Sequence, residues 1–255
     1  MIEMNTDPSS KKWGKPYKAP YKKNTNESNN HEMKMSFVHS LASEIKALKK
    51  KSDVHWARKI WHMLGVSFIA AMYIFLPRDM AIILLVTSMS IFIPVDFLRQ
   101  TRPRLNEWAV HVFRAIIRRT EVNRLAGTTF LLTGVAVVTS LFQYHIVVLT
   151  LLFLAFADPI ASYIGIRFGK DKIFGHKSVQ GFFAAFVVCT VITFTYLFYN
   201  GLFVERLFLL SLIAGLCGAL AELVPIGKLD DNLTLPILSA CSLWVLFTLF
   251  SGATV

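Results

Sequence analysis

From residue 53 onward the chain alternates long apolar runs with short polar punctuation. The runs lie near 60–77, 80–98, 125–142, 145–166, 180–199, 204–223 and 233–252. Each holds roughly 17 to 22 residues, the length a helix needs to cross the hydrocarbon of a bilayer. None has the two-residue polar–apolar rhythm of a membrane β-strand. The pattern predicts an all-α, polytopic transmembrane helical bundle of about seven spans within 53–255. Residues 1–52 have no such run. Rich in Lys, Asn, Ser and Pro, they read as a disordered basic tail with a short amphipathic helix at 36–50.

Composition supports this division, since 54% hydrophobic and 17% charged residues make the chain too apolar for an ordinary soluble domain. Charge adds direction. Apart from Arg78 and Arg206, every lysine and arginine falls in 1–59, 98–124, 167–180 or at Lys228. Seven spans place those segments together on the side of the N-terminus, which the positive-inside rule makes cytoplasmic. Orientation and attraction to anionic lipid then account for the net charge of +11 without a nucleic-acid partner. The compact length favours a bacterial inner membrane, with the endoplasmic reticulum as the alternative. Cys189, Cys217 and Cys241 lie within apolar runs and read as small packing residues.

The unusual polar clusters all reach that one face: RKIWHMLG (58–65), DFLRQTRPRL (96–105), RRTEVNRLAGTTFLLTG (118–134), ADPIASYIGIRFGKDKIFGHKSVQG (157–181) and ELVPIGKLDDNLTLP (222–236). Asp158 closes a membrane-length run, where an ionisable group costs about 2.5–3.5 kcal/mol, so a function is the default expectation. Asp158–Pro159 resembles a helix start and predicts two half-helices meeting at the acid. Ala157, Ala161, Gly165 and Gly169 form a small-residue stripe suited to close helix packing. Glu222, Asp230, Asp231 and Asn232 crowd acids at a membrane boundary, a pattern suited to Mg²⁺. With Arg167, Lys170, Lys172 and Lys177 nearby, the set matches what a nucleoside triphosphate requires. No Walker-type or protein-kinase motif is present. Arg58 and His62 share a helical face and read either as interfacial anchors beside Trp56 and Trp61 or as a head-group contact. Arg114, Arg118 and Arg119 are accounted for by orientation and lipid contact along an amphipathic helix built on Leu105, Trp108, Val112 and Ile116.

In this order the motifs resemble the CTP-dependent membrane lipid kinases, which include dolichol, phytol and farnesol kinases and the fungal-type diacylglycerol kinase. The matching pieces are RKIWHMLG, Asp96 with Arg99, RRTEVNRLAGTTFLLTG, DPIASYIGIRFGK followed by KSVQG, and DDNLTLP. A remoter likeness links 157–181 to the CTP:phosphatidate cytidylyltransferases. The resemblance implies CTP and Mg²⁺ as donor and cofactor and a membrane lipid alcohol as acceptor. It implies catalytic roles for Asp158, Lys177 and Asp231, and nucleotide contacts from Gly165, Arg167, Gly169, Lys170, Lys172, Ser178, Gly181 and Asn232. It further implies lipid or head-group contacts from Arg58, His62 and Arg99, and metal ligation by Asp158, Glu222, Asp230 and Asp231. The chain departs from the family at Ala157, where Gly is usual, and at Gln180 and Phe182, where Glu and a small residue are usual. Cytidylyl transfer and a non-enzymatic transporter or binding protein are the alternative readings.

Overall fold

The structure is a computed structural model that describes residues 56–175, 177–227 and 229–252. The tail at 1–52, with its segment 36–50, lies outside the described residues. The helices are α1 (Trp56–Phe75), α2 (Arg78–Thr101), α3 (Pro103–Val112), α4 (Gly127–Leu141), α5 (Tyr144–Leu152), α6 (Asp158–Arg167), α7 (Val179–Tyr199), α8 (Leu207–Leu223) and α9 (Asp231–Gly252). A two-stranded antiparallel hairpin, β1 (Lys172–Phe174) and β2 (Lys177–Ser178), joins α6 to α7. Its turn contains Gly175 at φ +53°, in the left-handed region that glycine enters without penalty.

Among the described residues five rods are long and apolar enough to cross a membrane: α2, the joined α5–α6 at Tyr144–Arg167, α7, α8 with its leading turn at Val204–Leu223, and α9. This is the composition of an integral membrane protein. The other two expected runs become α1, diluted at its start by Arg58, Lys59 and His62, and the shorter α4 of 15 residues. Five helices therefore meet the length and hydropathy requirement where seven were expected.

Burial follows how each helix distributes its apolar residues. α5 is apolar on every side, which suits only a surrounded position. Val147, Val148, Leu149, Leu151 and Leu154 are fully buried, with α1, α7 and α9 packed around them. α2 lies at the edge, leaning mainly on α4. Its Thr87, Ser88 and Ser90 hydroxyls donate to the carbonyls of Ile83, Leu84 and Val86, so these polar groups need no partner from lipid.

The chain does not break at Asp158. Ala157 and Asp158 are helical, with φ/ψ of −69°/−44° and −59°/−53°, and α5 runs into α6 through a π turn at Phe153–Ala157. The expectation of two half-helices is thus corrected, and Pro159 supplies the reason. Its ring would press on the carbonyl four residues back, and it has no N–H to offer. Widening one turn, so that the Asp158 N–H reaches back to the Phe153 carbonyl, lets the helix continue past it. The acid therefore stands within the most deeply buried rod, just past its π turn.

Candidate functional site

A polar cavity of about 110 Å³ opens where α1, α6, β2, α7, α8 and α9 meet. From α1 come Arg58, Lys59 and His62, one face of its first turns. Lys59 Nζ donates to Ser162 Oγ at 2.8 Å and to the Pro159 carbonyl at 3.2 Å, which ties α1 to α6. His62 Nε2 lies 3.1 Å from the Leu154 carbonyl and 3.8 Å from Asp158 Oδ2. The Leu154 carbonyl is available because Pro159, five residues on, has no N–H for it. The π turn thus seats His62 beside the acid, on the lining of the cavity.

The acid cluster is organised around a lysine. Lys177 Nζ donates to Glu222 in a short ion pair and lies 3.8 Å from Asp231 Oδ2. Burial works against the charge on Lys177, but the Glu222, Asp231 and Asp158 carboxylates outweigh it and hold the ammonium above its ordinary pKa. The surrounding acids thus favour the charged form of Lys177. Asp230 caps α9: its Oδ1 accepts from the Asn232 N–H at 3.0 Å, and its carbonyl accepts from Leu233 and Thr234. Burial pushes the Asp230 carboxyl above the ordinary range. The Asn232 side-chain amide donates to the Gly127 carbonyl at 3.2 Å, fixing α9 to α4.

A further wall comes from the connection between α3 and α4. Arg58 is held in a fork by Glu121, at 2.7 Å to each carboxylate oxygen, and donates to the Ile116 carbonyl at 3.1 Å. Arg118 lines the cavity, with a buried Nε that has no partner among the described residues. Burial, with Arg58 close by, lowers its pKa from the usual guanidinium value, and an arginine so placed still carries its charge. Lys59 and Arg118 have no carboxylate within ion-pair distance among the described residues, so both can face an incoming anion.

Arg99 sits elsewhere. It pairs with Asp96 at 2.6 Å and donates to the carbonyls of Glu121, Val122 and Arg124 and to the Asn106 side chain. Asp96 in turn accepts from the Ala126 N–H and the Thr129 hydroxyl at the start of α4. The pair clamps the connection that carries Arg118 and Glu121. Arg99 is engaged by these protein partners and does not line the polar cavity.

Among the other expected residues, Gly165, Ser178 and Gly181 line the cavity. Ser178 caps α7, its Oγ accepting from the Gly181 N–H at 3.2 Å. A Cβ on Gly165 would meet that Oγ at 3.0 Å, and one on Gly181 would meet the Ala161 carbonyl at 2.9 Å. One on Gly169 would overlap the Gly165 carbonyl. These glycines let α6 approach the start of α7. Arg167, Lys170 and Lys172 do not line the cavity. Arg167 lies against Tyr163 and Phe168, while Lys172 Nζ donates to the Gly165 carbonyl at 3.0 Å. Gln180 is also outside, accepting from the Lys170 N–H and donating to Asp171. A carboxylate there would lose that donor and repel Asp171, so the glutamine serves the hairpin.

Among the described residues no three His, Cys, Asp or Glu side chains are grouped to hold a metal ion. Mg²⁺ needs only one or two protein carboxylates when phosphate oxygens and waters complete its shell. Asp158, Asp230 and Asp231 line the cavity and fit that mode, whereas Glu222 is committed to Lys177. Lys59 and Arg118 are the site residues that the sequence reading left out. The signal for Lys59 was its spacing, since Arg58, Lys59 and His62 fall at one, two and five on a single helical face.

Fold and site together define a membrane-embedded helical protein with a cation-lined, carboxylate-bearing pocket at one end of its bundle. Over 171 residues the chain is 35% identical to the CTP-dependent diacylglycerol kinase 1 of Schizosaccharomyces pombe, covering 61% of this chain and 77% of that protein. It is 30% identical over 189 residues to an uncharacterized protein of Rickettsia prowazekii, covering 72% of this chain and 91% of the relative. The CTP-dependent diacylglycerol kinase 1 of Saccharomyces cerevisiae is 28% identical over 178 residues, or 61% of this chain and 60% of that protein. No family model matches the chain, and no solved structure does. The chain belongs to the CTP-dependent diacylglycerol kinase 1 family.

Proposed function

We propose that this protein is an integral membrane kinase that moves the γ-phosphoryl group of CTP to the hydroxyl of a membrane lipid, from the cytoplasmic side. The observation that carries the reading is the meeting of Lys59, Arg118 and Lys177 with Asp158 and Asp231 in one cavity. At about 110 Å³ this space is smaller than the usual small-molecule pocket. It suits the phosphates and the reacting hydroxyl, with the base outside.

In this reading Lys59 and Arg118 grip the phosphate oxygens, and the Lys177 ammonium offsets the charge that builds during transfer. Asp158 accepts the proton of the lipid hydroxyl, and His62, fixed by the Leu154 carbonyl, keeps its carboxylate turned to the acceptor. Mg²⁺, when bound, would be held by one or two of the cavity carboxylates Asp158, Asp230 and Asp231 and would supply neutralisation of phosphate charge. The cation-rich end faces the cytoplasm by the positive-inside rule.

The test is purified protein assayed with CTP and a diacylglycerol, alongside Asp158→Asn. Wild type is expected to form a phosphorylated lipid. The variant is expected to lose about 10²-fold or more of that rate while keeping CTP-dependent protection from thermal unfolding. An active, folded Asp158→Asn protein would remove the acid from the mechanism.

A further inference from the structure

A second cavity, of about 470 Å³, lies between α1, α2 and α4 and touches the polar one at Arg58, His62 and Asn232. Its walls are mostly apolar, among them Phe68, Met72, Leu85 and Leu131, with the Asp96–Arg99 pair and Glu121 also on the lining. It continues along α1 from His62 to Tyr73, roughly 16 Å at the helical rise. That is about half of the ~30 Å hydrocarbon core of a bilayer. Phe68 is 65% exposed and Phe92 53%, so the wall is open between α1 and α2.

Gly65 is the informative residue. It stands inside α1, where glycine costs about 1 kcal/mol relative to alanine, and it lines this cavity. Other helical glycines of the protein earn their place by close packing: a Cβ on Gly134 would meet Pro236 at 2.9 Å, and one on Gly218 would meet Phe153 at 2.9 Å. At Gly65 a Cβ would meet nothing within 4 Å. No protein neighbour requires this glycine, and what it keeps clear is the cavity.

We infer that the chamber between α1, α2 and α4 seats one hydrocarbon chain of the lipid acceptor, with Gly65 kept small to leave that chain room. The inference rests on the kinase reading for the identity of the acceptor. Three features fix the occupant as a chain of about one leaflet's length: the apolar walls, the opening toward the bilayer side, and the junction with the site at His62. Such a chain, entering between α1 and α2, places its head group beside Asp158. Gly65 and Ser88, both on the wall and outside the polar cavity, become determinants of lipid selection.

The test uses the full chain in nanodiscs and a diacylglycerol bearing a diazirine midway along one acyl chain, photolysed without nucleotide and mapped by mass spectrometry. Adducts are expected on Phe68, Met72, Leu85 or Leu131. They should fall about tenfold or more in Gly65→Leu and independently in Ser88→Leu, while labelling of Ile83 and Ile91 on the outer face of α2 stays constant. In kinetic assays the same variants should raise the KM for lipid and leave that for CTP unchanged. A wild-type wall that takes no label while Ile83 and Ile91 do, or equal wall labelling in both folded leucine variants, would overturn the proposal. Wall labelling by a protein that transfers no phosphate from CTP would uphold the chamber and remove the kinase reading.

Discussion

Lys177 shows how one side chain can reconcile a site that sequence makes look impossible. The carboxylates of Glu222, Asp231 and Asp158 surround its ammonium, which lies among them where a cage of metal ligands was expected. Glu222 is 3% exposed at its side chain, and removing one partner of a buried pair costs about 3–5 kcal/mol because the other is left uncompensated. Lys177→Met should therefore lower the unfolding temperature in detergent. Lys177→Met combined with Glu222→Leu should regain stability without regaining activity. His62 tests orientation: His62→Ala should reduce kcat by about 10²-fold with little change in the KM for CTP, and His62→Gln, which can still donate to the Leu154 carbonyl, should recover part of it. Asp158, Lys177 and the 230–232 group were legible in sequence because acids and lysines at the ends of apolar runs are costly. Arg118 and Gly65 were not, because the partnerless Nε of one and the empty space beside the other exist only once the helices are assembled. The clamp made by Arg99 was hidden for the same reason, its carbonyl partners lying 22 to 25 residues away.

The decisive element is the joined α5–α6 rod. Its apolar run and its small-residue stripe were plain in the sequence, and both took the expected parts in burial and close packing. The π turn was hidden. Asp-Pro is equally compatible with a new helix start and with a widened turn, and only the packing of α1 against the freed Leu154 carbonyl distinguishes them. Pro159→Ala restores an N–H that can reclaim a carbonyl in the preceding turn and close the helix. The variant should unfold at the same or a higher temperature yet lose about tenfold in turnover, the trade expected where function depends on an irregular backbone. A variant with unchanged activity would show that the turn plays no part in placing His62. The hairpin between α6 and α7 also escaped the sequence reading, since two very short strands carry too little pattern to register.

At the scale of the whole molecule, a bundle of apolar rods brings the charged ends of α1, α6, α8 and α9 together beside a greasy chamber. Among the described residues five helices of sufficient length and hydropathy establish the membrane character, and Arg58 and His62 of α1 with Asn232 of α9 form the junction between chamber and site. Phosphoryl transfer at such a junction should require a divalent cation. Activity is expected to vanish in excess EDTA and return with Mg²⁺, while the unfolding temperature without nucleotide stays unchanged, because Lys177 already balances the acids. The central claim is that the bond broken lies between the β- and γ-phosphates of CTP. It is tested most directly by supplying purified protein and a panel of diacylglycerol, phytol, undecaprenol and phosphatidate with CTP labelled at either the γ- or the α-phosphate. The account predicts label in extracted lipid from the γ position alone, in an acceptor bearing a free hydroxyl. Label arriving from the α position, on phosphatidate, would contradict it and make the protein a cytidylyltransferase.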